Sequence, residues 1–448
     1  MRDDSPNVLL IHCHDLGRYL GCYGADVNTP ALDGLAADGA QFDQHYVTAP
    51  QCSPSRGSLM TGLYPHVNGL LGLAHGQWEL RDDVTILPQY LGDAGYETHL
   101  FGLQHISQNT DWLGYDHVHS EGNLYPGVSP AVHHANRARS VANVVSTFLE
   151  KEAYDGPFFA SVGFFEAHRL EEENGRFGFD PTHYDGPDPD DVRPLPYLPD
   201  RRGIRIDLAE LHGMIHAIDD GVATILDALS DNGRDDDTLV VFTTEHGIAF
   251  PRAKGCCYDP GIEAALLMRY PGVIEAGTRF DDLLSNVDVL PTILDLVGMD
   301  VPGGLDGRSF APLLTGDDYE PRERIFAEMT WHDMYNPMRA IRTEHYKYVR
   351  NCWHLPTVYL SKDVFATEAG REVREEYGVP LRPYEELYDL RDDPQESKNV
   401  VNEPRYEAVR DDLDRQLRTW MHETDDPLLD GPVPPGDYDE IVPPDYRR

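Results

Sequence analysis

The chain has 448 residues, of which 37 are Lys or Arg and 78 are Asp or Glu, so its formal net charge is −41. A field of this sign repels polyanions, which excludes a nucleic-acid binder that relies on phosphate contacts and disfavours an anionic membrane surface as a partner. Hydrophobic residues make up 40% of the chain, enough for a sizeable core. The acidic excess is spread along the chain, and we expect it to be the solvated surface of a protein adapted to high salt.

Cysteine usage and hydropathy indicate the compartment. Six cysteines in a chain of this length do not form a disulfide framework. The first residues contain no signal-peptide pattern, and no apolar run approaches the ~18 residues that a membrane span needs. We therefore expect a cytoplasmic, reduced protein with no membrane partner.

Strand and helix patterns alternate through the first two-thirds of the chain, which is typical of a parallel α/β sheet. A long amphipathic helix is indicated by apolar residues at steps of three and four between Leu208 and Leu229. The segment 170–205 is rich in Pro, Asp and Gly without a clear period, which predicts a long and often functional surface excursion. The predicted strands are 7–13, 97–103, 157–165, 238–243 and 266–269, and the predicted helices are 30–39, 86–94 and one that contains 208–229 and ends at Asn232-Gly233.

The pattern changes after about Tyr319. Segments 324–330 and 338–350 are predicted to be antiparallel strands, and 405–424 a charged amphipathic helix. We interpret residues 1–319 as an α/β catalytic domain and residues 320–448 as a smaller C-terminal subdomain with a tail. The Pro- and Asp-rich tail from Asp425 is expected to wrap around the subdomain or to fray.

The sharpest motif is Cys52-Ser53-Pro54-Ser55-Arg56. A helix beginning after Pro54 would place Cys52 at its N-terminus, where free N–H groups and the helix dipole favour an anion. The same position predicts a lowered pKa for the thiol, and Arg56 supplies a planar cation suited to an oxyanion. From the residues alone, Cys52 is either a nucleophile at an anion site or a capped, buried cysteine.

This motif, followed by Thr61-Gly62, resembles the sulfatase motif in which the cysteine is oxidised to formylglycine after translation. Similar segments occur in the family's order along most of the chain, and several of them resemble sulfamidase-like members. The resemblance implies the alkaline-phosphatase-like α/β fold, with a large, mostly parallel sheet flanked by helices and a smaller antiparallel C-terminal sheet. Segments that carry it include 6–11, 21–24, 29–33, 64–69, 93–98, 291–295, 306–309 and 386–394.

The resemblance also implies one divalent metal ion. Its ligands would be the pairs His14-Asp15 and Glu245-His246, together with the residue derived from Cys52. Both pairs follow apolar strands, where parallel sheets bind ligands. His14 and Glu245 depart from the family's Asp residues, and His14 is either a ligand or a strand-end histidine turned away. Two imidazoles disfavour Ca²⁺ and favour Mn²⁺, Zn²⁺ or Fe²⁺, with Mg²⁺ retained as a candidate.

The remaining site residues are carried over from the family by position. His168 is the candidate general acid, and Glu166 is one methylene longer than the family's Asp. Leu103 stands where the family has a sulfate-binding Lys. The resulting catalytic candidates are Cys52, Arg56, His105, His168 and Lys254, and the substrate-binding candidates are Glu166, His332 and Asp333.

Together these features predict metal-dependent hydrolysis of a sulfate ester or sulfamate on a small sulfated substrate, for which a sugar is one candidate. A hydrated formylglycine has two hydroxyls on one carbon, of which one attacks sulfur and the other later helps to expel sulfate. A formylglycine-generating enzyme is the implied maturation partner. Two alternatives remain: a phosphate or phosphonate ester hydrolase of the same superfamily, and a weakly active anion-binding relative.

Overall fold

The computed structural model describes residues 5–76, 78–124, 129–150, 156–172, 175–378 and 380–435. Within these ranges the strands are β1 (Asn7–Cys13), β2 (Ala40–Phe42), β3 (His45–Tyr46), β4 (Glu97–Gly102), β5 (His117–Val118), β6 (Phe158–Gly163), β7 (Leu170–Glu171), β8 (Phe177–Gly178), β9 (Thr238–Thr244), β10 (Leu266–Arg269), β11 (Thr278–Phe280), β12 (Leu284–Ser285), β13 (Arg324–Trp331), β14 (Tyr335–Thr343), β15 (Tyr346–Asn351) and β16 (Glu385–Asp389). The α-helices are α1 (Pro30–Asp38), α2 (Cys52–Thr61), α3 (Pro65–Asn68), α4 (Leu87–Asp93), α5 (Pro130–Asn136), α6 (Ala138–Leu149), α7 (Arg202–Asp231), α8 (Asp259–Ile262), α9 (Val289–Leu296), α10 (Ala311–Thr315), α11 (Lys362–Phe365), α12 (Glu368–Gly378) and α13 (Glu407–Glu423).

The main sheet has eight strands in the order β11-β2-β10-β9-β1-β6-β4-β5. Its neighbouring strands are parallel except where β10 pairs with β9 and β2. β1 is buried along its whole length, with Leu9 and Ile11 in one core and Val8 and Leu10 in another. Helices covering both faces explain why this strand is almost continuously apolar. The predicted large, mostly parallel sheet is confirmed.

Four adjacent parallel strands, β9, β1, β6 and β4, set the position of the site. Their carboxyl ends meet at one edge of the sheet, where such folds bind ligands. The segments following them begin at Glu245, His14, Phe164 and Leu103. Gly163 closes β6 where a Cβ atom would lie 1.9 Å from the carbonyl oxygen of Leu103, so only glycine permits this close approach.

Helix α7 is the long amphipathic helix expected from the spacing, but it begins at Arg202, six residues before Leu208. Its first turn packs against α12, where Gly203 N–H donates to Glu372 Oε1 at 3.1 Å. A partner 169 residues away in sequence therefore extends the helix beyond its apolar repeat. The preceding excursion forms the short hairpin β7–β8.

The C-terminal sheet is antiparallel, in the order β13-β14-β15-β16, as expected. The segment 338–350 is broken by a turn at Glu344 and His345 into the separate strands β14 and β15. Helix α13 packs on this sheet through Leu413, Leu417 and Trp420. The proposed division between residues 319 and 320 falls between α10 and β13.

Two further expectations concern cysteines and membranes. Cys13, Cys22, Cys52, Cys256, Cys257 and Cys352 are all free thiols. Across the described ranges, no helix has both the length and the apolar character that a membrane crossing requires.

The tail wraps onto the sheet as far as it is described. Asp426 is buried and accepts two hydrogen bonds from Arg339 of β14, at 2.5 Å from Nε and 2.9 Å from Nη2. Arg339 also lies 3.2 Å from Glu328. Beyond it, the carbonyl oxygen of Val433 accepts a hydrogen bond from the Trp331 indole at 3.1 Å. Residues 436–448 of the predicted tail lie outside the described residues.

We expect Asp426→Ala to lower the free energy of unfolding by roughly 3–5 kcal/mol, because it removes one partner of a buried, bidentate ion pair. Thermal and urea unfolding would measure the loss. The matched control is Asp412→Ala, which removes an exposed carboxylate paired with Arg415 and should cost about 1 kcal/mol or less. Equal unfolding midpoints for the two variants would contradict the role assigned to Asp426.

Candidate active site

Cys52 is the first residue of α2 and is buried at the floor of a large cavity. The predicted location at a helix N-terminus is thus confirmed. Its Sγ atom lies 3.5 Å from His246 Nε2. The expected lowering of the thiol pKa is wrong, because burial and the nearby Glu245 carboxylate raise the pKa to about 11. Desolvation of the thiolate therefore outweighs the lowering of its pKa by Lys254 and by the hydrogen bond to His246.

The two strand-end pairs predicted from the sequence meet beside Cys52. His14 Nδ1 lies 2.7 Å from Glu245 Oε1, so this histidine is not turned away from the cluster. His246 Nε2 lies 3.0 Å from Asp15 Oδ1 and 3.3 Å from Glu245 Oε1. The other ring nitrogen of His246 donates to the carbonyl oxygen of Gly247 at 2.8 Å, which directs Nε2 into the cluster.

Burial and neighbouring charges act differently on the two imidazoles. Burial, aided by Arg56, lowers the pKa of His14 to about 4 against the attraction of Glu245. Burial also disfavours protonated His246, but hydrogen bonds to Asp15, Cys52 and Glu245 raise its pKa well above the usual value. The cluster therefore favours a positive charge at the position of His246 Nε2.

The donor set fits a divalent cation. Donor atoms of Asp15, Cys52, Glu245 and His246 lie within 4.8 Å of one another, and those of His14, Cys52, His105 and Glu245 form a second such group. His14 Nε2 is buried and has no hydrogen-bond partner among the described residues. Mixed carboxylate, imidazole and thiolate donors are typical ligands of transition metals.

Two of these residues have a strained backbone. Asp15 has a φ of 43° and His105 a φ of 58°, both in the left-handed region that favours glycine. Such strain persists where the surrounding structure holds a residue in place, and it is concentrated at functional sites.

Arg56 reaches the cluster through Glu245. Its Nε donates to Glu245 Oε2 and its Nη1 donates to His12 Nδ1. The side chains of Arg56 and Glu245 are almost fully buried. Arg56 does not line the large cavity. This guanidinium thus holds Glu245 in place and, with His14, keeps the pKa of that carboxyl well below its usual value despite burial.

Lys254 lies between two buried carboxylates. Its Nζ donates to Asp15 Oδ2 at 2.9 Å and to Asp363 Oδ2 at 2.7 Å. Burial disfavours the ionised form of both carboxylates, but Lys254 holds their pKa values well below the usual range. Asp363 was not identified from the sequence, because it lies 109 residues from Lys254 and belongs to no recognisable motif.

The cavity wall contains most of the other candidates. His105, His168, His332 and Asp333 all line it. Glu166 does not: this buried carboxylate accepts hydrogen bonds from the Tyr184 hydroxyl at 2.7 Å and from Ala138 N–H at 2.8 Å. The expectation that Glu166 contacts substrate is therefore corrected, since both carboxylate oxygens bind neighbouring loops and helices instead.

His168 has one nitrogen fixed by the backbone, since Nδ1 donates to the carbonyl oxygen of Arg169 at 2.7 Å. Burial and the nearby Lys254 lower its pKa from the usual value. The ring is thus mainly neutral at neutral pH, and a bound anion would raise its pKa.

The cavity has a volume of about 1490 Å³. Unlike the chain as a whole, its lining has no acidic excess, with six Lys and Arg residues against five Asp and Glu residues, and it also contains seven His residues. Part of the wall comes from the predicted 170–205 excursion, including Arg176 and Phe177. The cationic lining residues are Arg137, Arg169, Arg176, Lys254, Lys362 and Arg374.

The chain is similar to known proteins in both sequence and fold. The family model described as Sulfatase matches residues 6–299, and the model described as N-sulphoglucosamine sulphohydrolase, C-terminal, matches residues 245–362. The chain is 30% identical over 473 aligned positions to the N-sulphoglucosamine sulphohydrolase of Homo sapiens. That alignment covers 95% of this chain and 92% of the human protein.

Two solved structures share the fold at lower identity. One, in complex with its substrate D-glucosamine-2-N,6-O-disulfate, aligns with a TM-score of 0.71 at 19% identity and covers 94% of this chain and 98% of the other. The phosphonate monoester hydrolase of Agrobacterium radiobacter aligns with a TM-score of 0.70 at 23% identity, covering 94% and 96%. The fold is therefore of the alkaline-phosphatase-like sulfatase type.

Replacing Lys254 with Met tests whether its positive charge stabilises the buried carboxylates of Asp15 and Asp363. We expect the free energy of unfolding to fall by roughly 3–5 kcal/mol at pH 7, because two buried carboxylates lose their cation. In the wild type, Asp15 and Asp363 have lowered pKa values, so they contribute stability above the unfolded-state pKa of about 4 and lose it as the pH falls. The difference between variant and wild type should persist from pH 7 to pH 4 and shrink below pH 4, where the wild type loses this contribution.

Thermal unfolding over this pH range is the measurement. Lys362→Met is the matched control, since Lys362 lines the same cavity but is 42% exposed and lies 3.6 Å from Glu171. A loss in Lys254→Met that is independent of pH would show that these carboxylates do not depend on the lysine.

Proposed function

The chain belongs to the sulfatase family, as its motifs indicate, and we propose that this hydrolase cleaves a sulfate ester or sulfamate on a sugar, with a formylglycine derived from Cys52 as nucleophile. The observation that carries the proposal is the position of Cys52. It lies at a helix N-terminus on the cavity floor, beside the donor atoms of Asp15, Glu245 and His246.

Both groups that the family implies fit the residues present. Asp15, Glu245 and His246 would hold a divalent metal ion, with His14 and the residue at position 52 completing its shell. A bound ion lowers the pKa of an oxygen nucleophile and polarises a sulfate oxygen. Oxidation of Cys52 to an aldehyde, followed by addition of water, would supply two hydroxyls on one carbon in place of a thiol whose pKa is raised to about 11.

The protein's own residues orient the substrate and move protons. Lys254, held by Asp15 and Asp363, places a buried positive charge where sulfate oxygens would lie. His168 is the candidate acid for the leaving group, and the charge of a bound sulfate would raise its lowered pKa toward neutrality. His105 lines the same wall, while Arg56 acts by orienting Glu245.

A sugar substrate is supported by the size and charge of the cavity. Its volume of about 1490 Å³ exceeds the ~300–1,000 Å³ of most small-molecule sites, so it accommodates more than one pyranose ring. Basic residues lining this cavity attract an anion that the rest of the molecule repels. The relatives include an N-sulphoglucosamine sulphohydrolase, which makes a sulfated amino sugar the first substrate to test. His332 and Asp333 lie on the cavity wall, where they would contact its ring.

Maturation requires an oxidising enzyme. We propose that a formylglycine-generating enzyme acts on the Cys52 motif before folding, because the thiol is only 1% exposed in the folded protein. The proposed compartment is the cytoplasm, and the acidic surface would keep the protein soluble in high salt.

Peptide mass spectrometry across Cys52, on protein from its native host, should find the mass of formylglycine. Cys52→Ala should lower turnover of an aryl sulfate by about 10⁴-fold or more while the protein stays folded, since the nucleophile is lost. Cys352→Ala, at a half-buried thiol outside the cavity, is the matched control and should retain turnover.

Matched aryl sulfate and aryl phosphate substrates separate the alternatives. Faster phosphate than sulfate hydrolysis would favour a phosphate or phosphonate ester hydrolase, to which the fold is also suited. An unmodified Cys52 together with unchanged turnover in Cys52→Ala would refute the proposed nucleophile. Absence of turnover and of bound metal after metal loading would favour an anion-binding relative.

The metal preference tests His14 as a ligand. After chelation, Mn²⁺ should restore more turnover than Ca²⁺, because an imidazole in the donor set disfavours the harder ion. His14→Asp should shift the preference toward Ca²⁺. The exposed His345→Asp is the control and should keep the wild-type order. Identical Ca²⁺ to Mn²⁺ ratios in wild type and His14→Asp would remove His14 from the ligand set.

A further inference from the structure

A second group of metal-ligand side chains lies at the edge of the main sheet, at the opposite end of β4 from the active site. β4 and β5 pair in parallel with His99 directly opposite His117. Glu97 precedes His99 by two residues and therefore shares its face of the sheet. Strand pairing alone brings these three side chains together, which we call the edge cluster.

The donor atoms of the edge cluster converge. Glu97 Oε1 lies 2.8 Å from His117 Nε2 and 3.6 Å from His99 Nε2. One donor atom from each residue lies within 4.8 Å of the others. A tetrahedral zinc ion with Zn–N and Zn–O distances of about 2.1 Å holds its ligands about 3.4 Å apart, so small side-chain adjustments suffice.

Neighbouring groups hold His99 in the required orientation. Its side chain is 1% exposed and packs against Phe148 of α6, with ring centroids 4.4 Å apart. His99 Nδ1 forms a hydrogen bond with His119 Nε2 at 3.1 Å, which leaves Nε2 facing Glu97 and His117. Such second-shell bonds orient the histidine ligands of metal sites.

We propose that Glu97, His99 and His117 form a surface binding site for a transition-metal dication such as Zn²⁺. Two imidazoles and a carboxylate are a common zinc donor set, and the 44% and 51% exposure of Glu97 and His117 leaves room for water as the remaining ligand. The site is separate from the active site, because the five residues of β4 after Glu97 span about 16 Å.

A metal ion here would tie the sheet edge together. β5 has only two residues, and both are exposed. Coordination by His117 from β5 and by Glu97 and His99 from β4 would join the edge strand to the sheet through side chains. Zinc should therefore raise the unfolding temperature of the protein, since a ligand bound only by the folded state stabilises it.

The test uses the full-length protein, stripped with a chelator and dialysed against ZnCl₂. Zinc per chain is measured by elemental analysis for the wild type, His117→Ala, Glu97→Gln and His345→Ala. The matched control His345 is an exposed histidine whose Nδ1 lies 3.9 Å from the carboxylate of the adjacent Glu344. We expect His117→Ala and Glu97→Gln to bind one zinc ion fewer than the wild type and His345→Ala.

All four proteins keep the Cys52 cluster, so any zinc bound there cancels when their zinc contents are compared. Co²⁺ provides a second readout: the spectrum of the wild type minus that of His117→Ala should contain d–d bands and no thiolate charge-transfer band, because the edge cluster has no sulfur ligand. Equal zinc content in all four proteins would overturn the proposal. Sulfatase turnover should be the same in His117→Ala as in the wild type, so this result is independent of the proposed function.

Discussion

The compensation of buried carboxylates by buried cations is the interaction on which the site depends. Asp15, Glu245 and Asp363 are held in a nearly dry environment by Arg56 and Lys254, and His246 lies between Asp15 and Glu245. Removing one partner of such a pair exposes the full desolvation cost of the other. The parallel sheet contributes to this arrangement, because its neighbouring strands β1 and β9 bring Asp15, Glu245 and His246 to the same edge.

The same electrostatics explains how an acidic protein can process an acidic substrate. The net charge of −41 repels anions over most of the surface, whereas the cavity contains more cationic and imidazole groups than carboxylates. A low-dielectric cavity strengthens the local field, so the few basic residues that line it determine what binds. Overall charge therefore describes solubility, and the cavity lining describes recognition.

Neighbouring side chains orient the histidine ligands both at His14 and in the proposed edge cluster, although the two places differ in burial. At the sheet's carboxyl end, His14 is fully buried and its pKa falls to about 4, so the neutral imidazole can offer a lone pair to the donor cluster around Cys52. At the sheet's edge, His99 is buried but His117 lies open to solvent. In both places a neighbouring side chain binds Nδ1 and leaves Nε2 for the donor group: Glu245 does so for His14, and His119 does so for His99.

The sequence by itself determined the fold class, the order of most elements and the location of Cys52 at a helix start, because apolar periodicity and short motifs are local properties. It also identified the strand-end pairs at His14 and Glu245. Only the tertiary structure decided the raised pKa of Cys52, the inward burial of Glu166 and the ion pair between Lys254 and Asp363. These depend on burial and on contacts between residues far apart in the chain, which no local pattern records.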